Sequence, residues 1–181
     1  MGVELVRLWV VVGNYGGLWG ISGVYTGYST VAIDAKGRTN LPRELRRELP
    51  VEADGKVVVV PGPGATLLCF DAPSFQRTIQ ALQALPRTPD LARNLRRMTA
   101  LAATSVLDEQ NRLTLPPRLM ELAGLQGKVT FAGDGDKILL MSPERFEDEI
   151  GGLPATSSYD EFSECLQVPP PGKSVSRTDE S

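Results

Sequence analysis

The chain has 181 residues, 41% of them hydrophobic and 23% charged, and a formal net charge of −3 at pH 7. This length fits one ordinary domain, or two half-domains that share one core. The sequence has no histidine, which excludes Ser-His-Asp and Cys-His catalysis and most zinc sites. Its two cysteines, Cys69 and Cys165, give neither a disulfide framework nor a metal-binding spacing, and they suit a reducing cytoplasm.

The net charge hides an uneven distribution of charged residues. Residues 1–141 contain 16 Lys and Arg against 13 Asp and Glu, whereas residues 142–181 contain 3 against 9. Because an acidic C-terminal segment masks a mildly basic body, the average charge does not exclude a nucleic-acid partner.

Residues 1–23 form an unusual leader. Its apolar run, residues 8–12, is much shorter than the roughly 20 residues that span a bilayer, and a glycine-rich stretch follows it. Glu4 and Arg7 cancel in charge and no clear cleavage site follows, so a secretory signal is not indicated. We expect a leader that is disordered or is not part of the native protein.

From residue 24 onward the pattern alternates between strand and helix signals. The predicted elements are a strand over 25–33, a turn over 34–37, a strand over 38–41, a helix from Pro42 with Leu45 and Leu49 on its apolar side, strands over 56–60 and 66–70, a helix over 73–85, and a helix over 89–103. Thr88 and Pro89 give the last helix a strong start.

The same order then repeats. The predicted elements are a strand over 104–107, a turn over 108–111, a strand over 112–115, a helix over 116–123, a strand over 128–132, a turn over 133–135, a strand over 138–141, and a helix from Pro143. Phe75 and Phe146 occupy matching places in the two copies. After about residue 151 the composition predicts a disordered acidic and Pro-rich tail, with at most a brief helix near 160–164.

The clearest part of the repeat is a stretch of nine residues. Asp34-Ala-Lys-Gly-Arg-Thr-Asn-Leu-Pro is matched 74 positions later by Asp108-Glu-Gln-Asn-Arg-Leu-Thr-Leu-Pro. Two copies at this distance indicate a duplicated half-domain rather than an array of short repeats. We therefore predict a first half over 24–86, a connecting helix over 87–103, a second half over 104–150, and the leader and the tail (151–181) outside them.

The chain resembles the MraZ family, within the wider AbrB-like, swapped-hairpin group of bacterial transcription regulators. The residues that carry the resemblance are Asp34-Ala-Lys-Gly-Arg38 with Leu41-Pro42, the arginine-bearing helix 89–103, Leu107-Asp108 with Arg112, Leu115 and Pro116, Leu122-Ala-Gly-Leu125, and the stretch from Val129 to Gly133. Together these motifs cover residues 24 to about 150.

The resemblance implies an α+β fold of two tandem AbrB-like swapped-hairpin units that form a pseudo-symmetric barrel with flanking helices. It also implies a cytoplasmic, nucleoid-associated homo-oligomer, in the form of a ring, without enzymatic activity. Such a protein binds repeated elements of double-stranded DNA ahead of the genes for cell division and wall synthesis, including its own gene. No cofactor, metal, membrane or small-molecule substrate is implied.

The resemblance also bears on the start of the protein. Members of the family begin ten residues before the first motif aspartate, and counting back from Asp34 reaches Val24, the residue that a GTG start codon would suggest. We therefore expect the native protein to begin at Val24.

Basic residues concentrate around the first copy of the motif. The candidate DNA-binding residues there are Lys36, Arg38, Arg43, Arg46 and Arg47, and the second copy adds Arg112. Such a cluster favours DNA, because neutralising phosphates with release of counterions supplies much of the affinity. Alternatively, Asp34–Arg38 and Asp108–Arg112 are pairs that hold the turns in shape. The two roles are compatible.

The two copies differ at two positions within the turn. Gly37 is replaced by Asn111, which tolerates a left-handed backbone, and Lys36 is replaced by Gln110, which removes a positive charge. Asp34, Gly37, Asp108 and Asn111 are the candidate residues of a structural turn motif. We expect the first copy to be the main DNA-binding one.

Two other classes of protein compete with this interpretation. A catalytic pair formed by Asp34 and Asp108 is disfavoured, because an adjacent arginine lowers the pKa of each carboxyl and no Asp-Thr/Ser-Gly motif is present. A protein-interaction module like the antitoxins of the AbrB-like group stays open. Subunit contacts and DNA contacts also both stay open for Arg93, Arg96 and Arg97.

Overall fold

The computed structural model describes residues 24–151. The expectations for the leader and for residues 152–181 lie outside the described residues. The strands are β1 Tyr28–Ala32, β2 Arg38–Asn40, β3 Lys56–Pro61, β4 Leu67–Asp71, β5 Ala103–Val106, β6 Arg112–Thr114, β7 Lys128–Asp134 and β8 Lys137–Met141. The α-helices are α1 Arg43–Arg47, α2 Ala72–Ala84, α3 Pro89–Ala100, α4 Pro117–Leu122 and α5 Pro143–Phe146.

The strands pair across the two copies of the repeat. Six of them form one antiparallel sheet in the order β1-β7-β8-β4-β3-β5. The first strand of the first copy, β1, therefore pairs with β7 of the second copy, and β5 of the second copy pairs with β3 of the first. If each strand is replaced by its equivalent in the other copy (β1 by β5, β3 by β7 and β4 by β8), the same order is obtained from the opposite edge. The sheet therefore has an approximate two-fold axis between β4 and β8. The structure confirms an α+β fold built from two tandem, interleaved copies.

The remaining strands, β2 and β6, form a separate two-stranded ribbon, again with one strand from each copy. The bridge between Ile33 and Thr39 joins the ribbon to β1, and a hydrogen bond from the amide of Thr114 to the hydroxyl of Ser105 joins it to β5. These links do not amount to continuous strand pairing, so the closed barrel is not confirmed.

The main core lies between the ribbon and the inner face of the sheet. Leu113 of the ribbon, Val57 and Val59 of β3, and Phe131 of β7 are fully buried in this cluster. Residues that alternate with these along the strands, such as Val58 and Phe70, face the other side of the sheet. They pack with Phe75 of α2 and Met98 of α3. The helices α2 and α3 therefore lie on the sheet face that points away from the ribbon.

Several boundaries differ from the predicted ones for local reasons. The helix from Pro42 ends at Arg47, before Leu49, because a residue that precedes a proline (here Pro50) disfavours helical angles. A 3₁₀ turn, Val51–Ala53, follows instead. The helix predicted to reach residue 103 ends at Ala100, since Ala103 pairs with Val59 in the sheet.

The turn predicted over 133–135 is also displaced. Gly133 lies within β7, opposite Ile138, and the chain reverses at Gly135 and Asp136. A Cβ atom on Gly133 would lie 2.4 Å from the backbone of Tyr25, so glycine is required here for close approach of two chain segments rather than for a turn.

Phe146 ends the first compact unit of the chain, and the π-helical turn Glu147–Gly151 belongs to a second unit. No helix within residues 24–151 is long and apolar enough to cross a membrane.

Candidate nucleic-acid interface

The first motif turn is organised around the side-chain carboxylate of Asp34, in addition to its own backbone hydrogen bonds. Oδ1 of Asp34 accepts hydrogen bonds from the backbone amides of Lys36 (2.8 Å) and Arg38 (2.9 Å). Its Oδ2 accepts a bond from Nε of Arg38 at 2.7 Å and lies 2.6 Å from Nη2 of the same side chain. The aspartate thereby fixes both the path of the turn and the direction of the arginine that follows it.

The second turn repeats this geometry. Asp108 accepts from the backbone amides of Gln110 and Arg112, each at 2.9 Å, and from Nε of Arg112 at 2.8 Å. Its Oδ2 lies 2.7 Å from Nη2 of Arg112. Because the two turns have the same hydrogen bonds, the substitutions between them leave the shape of the turn intact.

The fourth position of each turn has a left-handed backbone. Gly37 has φ 75° and Asn111 has φ 60°, a conformation that asparagine adopts more readily than most residues. The carbonyl oxygens of both residues then bind across the ribbon, where Gly37 accepts from the amide of Leu115 (2.8 Å) and Asn111 from that of Leu41 (3.0 Å). Each turn is thus anchored to the strand of the other copy.

The arginines keep both turn carboxylates ionised. The side-chain hydrogen bond from Arg38, followed by the backbone bond from the same residue, lowers the pKa of Asp34 from 3.8 to about 2. The corresponding bonds from Arg112 lower the pKa of Asp108. A carboxyl in this state does not donate protons near neutral pH, and this geometry disfavours an acid–base pair.

The ribbon exposes one of its two faces. Thr39 and Leu113 point into the core, with relative exposures of 1% and 0%. The residues before and after them in each strand point outward. The outward face consists of Arg38 and Asn40 from β2 and Arg112 and Thr114 from β6. The register places Arg38 opposite Thr114 and Asn40 opposite Arg112.

Sequence reasoning identified the two arginines of this face but missed Asn40 and Thr114. Side chains alternate between the two faces of a strand, so counting two residues on from Arg38 and from Arg112 would have found them. The prediction of the two arginines relied on residues that are identical in the two copies of the nine-residue repeat. Asn40 and Thr114 occupy equivalent positions but differ between the copies.

The other candidate residues surround the first copy. Lys36 is exposed on the turn, Arg43 and Arg47 are exposed on α1, and Arg46 is half-buried there. None of these four side chains forms an ion pair within the described part of the chain. The residues 74 positions later are Gln110, Pro117, Met120 and Glu121. The larger share of the positive charge around the ribbon therefore lies in the first copy.

The arginines of α3 do not belong to this surface. Arg93 pairs with Asp90, and Arg96 and Arg97 are exposed on a helix that lies on the far side of the sheet. The described residues also contain no group of three or more Cys, Asp and Glu side chains that could hold a metal ion.

Interleaved halves, a shared core and one outward ribbon define a class of duplicated α+β proteins in which one chain holds two swapped copies of a unit. The family model described as "MraZ protein, putative antitoxin-like" matches residues 24–98 and again residues 98–167. The chain belongs to the MraZ family.

Curated relatives agree with this assignment. The protein named Transcriptional regulator MraZ from Coxiella burnetii (strain RSA 493 / Nine Mile phase I) is 34% identical over 126 residues, which cover 68% of this chain and 83% of the relative. The protein of the same name from Marinomonas sp. (strain MWYL1) is 35% identical over the same shares. The one from Thiobacillus denitrificans is 31% identical over 128 residues, or 70% of this chain and 86% of the relative.

Proposed function

We propose that this protein is a DNA-binding transcriptional regulator without enzymatic activity, and that the outward face of the β2–β6 ribbon is its DNA-reading surface. The relatives that are 31–35% identical to about two thirds of this chain are named as transcriptional regulators. The observation that carries the proposal is the pair of half-buried arginines, Arg38 and Arg112, on the outward face of a two-stranded ribbon, because the major groove of B-DNA admits such a ribbon.

The geometry of Arg38 suits a base contact. An arginine side chain has five N–H donors, and the bonds to Asp34 engage Nε and Nη2 on one edge of the guanidinium group. The other edge, formed by Nη1 and Nη2, has no acceptor within residues 24–151. A guanine presents O6 and N7 to such a pair of donors. Asp34 therefore orients the guanidinium group of Arg38 and leaves its second edge available for a base contact.

The surrounding residues would supply affinity rather than specificity. Lys36, Arg43, Arg46 and Arg47 are candidate phosphate contacts, since lysine acts as a point charge and arginine can bind a phosphate with two bonds. Arg112 would contribute from the second copy, with no basic neighbour in its own turn. We therefore assign the larger share of DNA binding to the first copy.

We further propose that the protein acts as a homo-oligomeric ring in the nucleoid. In this account it binds repeated elements ahead of the cell-division and wall-synthesis genes, including its own gene. Closure of the barrel between the ribbon and the six-stranded sheet would keep the ribbon of each subunit rigid. A single ribbon makes few contacts, but after one subunit binds, the next meets its element at a high effective concentration.

The test is a gel shift on the DNA upstream of the protein's own gene. Fragments that carry one element and four elements are titrated with the wild type, Arg38→Ala and Glu109→Gln. Arg38→Ala should weaken binding by about 1–3 kcal/mol, that is, roughly 5- to 150-fold, while Glu109→Gln, which alters an exposed acid of the second turn, should bind at least as well as the wild type.

The oligomer size is measured for each variant by light scattering. Loss of binding by Arg38→Ala with the size unchanged would support a role in DNA contact, and loss of both would assign the arginine to the fold. Equal wild-type affinity for one and four elements would contradict binding by an oligomer.

The antitoxin-like description of the family favours one alternative function, a protein-interaction module. That alternative predicts a second protein that co-purifies with the chain in a fixed ratio when it is isolated from its own cells. Recovery of the chain alone, with DNA binding intact, would argue against it.

A further inference from the structure

The outward face of the ribbon is symmetric in its arginines but not in its other two residues. Arg38 and Arg112 occupy equivalent positions in the two copies, and so do Asn40 and Thr114. Both Asn40 and Thr114 are exposed, and neither side chain hydrogen-bonds to another residue of the described chain. The approximate two-fold axis of the fold therefore relates an asparagine to a threonine.

These two side chains have different hydrogen-bonding capacities. The amide of asparagine offers a donor and an acceptor together, and this pair matches N7 and the N6 amino group of adenine in the major groove. Threonine offers one hydroxyl and a methyl group, so it makes a single polar contact or an apolar contact with thymine. Of these two residues, only Asn40 can form a two-bond contact with a base, which discriminates more strongly than a single bond.

The spacing along the ribbon fits the spacing of bases. Two residues along an antiparallel strand advance about 6.8 Å, and two base-pair steps advance by the same amount at 3.4 Å per step. Arg38 and Asn40 are two residues apart on one face of β2. If Arg38 contacts one base pair, Asn40 lies near the second base pair beyond it.

We propose that Asn40 determines sequence specificity by reading the major-groove edge of an adenine, and that its replacement by Thr114 in the second copy gives the ribbon a direction on DNA. This inference rests on the proposed DNA-binding function. It assigns to Asn40 a role that is separate from charge, because the asparagine neutralises no phosphate. The recognised element is then asymmetric at the base pair that Asn40 contacts.

The experiment compares Asn40→Ala with the matched control Thr114→Ala on the upstream DNA fragment. Each base pair of the element is replaced in turn, and affinities for these fragments and for unrelated DNA are measured at several salt concentrations. Both variants should keep the wild-type melting temperature and oligomer size, since both side chains are exposed.

For Asn40→Ala we expect a loss of roughly 5- to 150-fold in affinity for the native element. Its affinity for unrelated DNA and the salt dependence of binding should not change, because no charge is removed. Discrimination should disappear at a single A·T pair and persist at the position related to it by the two-fold axis. Thr114→Ala should keep the preference for that A·T pair.

Three results would overturn the inference alone, and a fourth would overturn it together with the proposed function. Equal weakening on all DNAs would make Asn40 a general contact, and unchanged discrimination at every base pair would remove it from recognition. Loss of the same A·T preference in Thr114→Ala would contradict the asymmetry. If the wild type does not bind the upstream DNA at all, the proposed function fails together with this inference, whereas the other outcomes leave that function standing.

Discussion

At the scale of single residues, the geometry of the motif turn is compatible with both roles considered for its arginine, holding the turn in shape and binding DNA. Asp34 binds one edge of the Arg38 guanidinium group and two backbone amides, so the pair does stabilise the turn. The same contact fixes the direction of the other edge. An arginine that is already held in place loses less conformational entropy when it binds a ligand. The structural role of Arg38 would therefore favour the proposed binding role.

The lowered pKa of Asp34 predicts an acid-sensitive contribution to stability. Because its pKa is about 2 in the folded chain against an ordinary value of 3.8, the contribution is fully present above that ordinary value and is lost as the pH falls through about 2. Melting temperatures measured from neutral pH down to about pH 2 should therefore fall more steeply for the wild type than for Asp34→Asn in this window.

The matched control for this experiment is Glu109→Gln, which removes an exposed carboxylate from the second turn. Its melting curve should follow that of the wild type across the same window. If Asp34→Asn also follows the wild type, the Asp34–Arg38 pair contributes nothing measurable to stability.

At the scale of elements, two helices begin with a side-chain cap and an early proline, but the two caps make different numbers of contacts. Thr88 caps α3 by accepting the amide of Leu91 at 3.1 Å from an exposed position. Asp71 caps α2 by accepting the amide of Ser74 at 2.8 Å, and its Oδ2 also accepts the hydroxyl of Tyr25 at 3.2 Å. Burial, reinforced by the charge of Asp71, raises the pKa of Tyr25, so this hydroxyl stays protonated and remains a donor.

Removing the two caps should therefore have unequal effects. Thr88→Ala should lower the free energy of unfolding by about 1 kcal/mol, the usual value for a lost cap. Asp71→Ala should lower it by about 2–4 kcal/mol, because it also leaves a buried tyrosine hydroxyl without its acceptor. Urea unfolding of both variants gives the comparison, and equal losses would mean that the Tyr25 contact has no energetic value.

The elements also show what the sequence can and cannot predict. The turns at Asp34 and Asp108 and the start at Thr88 were predictable because their hydrogen bonds join residues within four positions of each other. Ala103 was assigned to a helix because its strand partner, Val59, lies 44 positions away. For the candidate site, the charged residues were proposed from their clustering in the sequence, whereas Asn40 would have followed only from the alternation of side chains along a strand, two residues on from Arg38.

At the scale of the whole molecule, the two copies cannot be separated without breaking the sheet. Each edge strand pairs only with a strand of the other copy, and the core residues Val57 and Phe131 come from different copies but belong to one cluster. Stability is therefore expected to be shared across the copies.

This arrangement predicts that a cavity in one copy destabilises both. Phe131→Ala, at a position with 0% exposure, should cost about 3–5 kcal/mol. Hydrogen exchange should show that protection falls in β3 and β4 of the first copy as much as in β7 and β8. The control Val106→Ala, at a position with 60% exposure, should change stability by no more than about 0.5 kcal/mol. Unchanged protection in the first copy would show that the copies unfold independently.

The interleaved pairing has a genetic consequence. If two identical hairpin units had to associate to build this sheet and ribbon, every mutation would appear at both symmetry-related positions. Here one gene encodes both units, so each position has its own codon and the two units are always made in a one-to-one ratio. A mutation can then change Lys36 without Gln110, or Asn40 without Thr114, while the aspartate and arginine of each turn are kept. Fusion of the two units allows one half to diverge while the other maintains the fold.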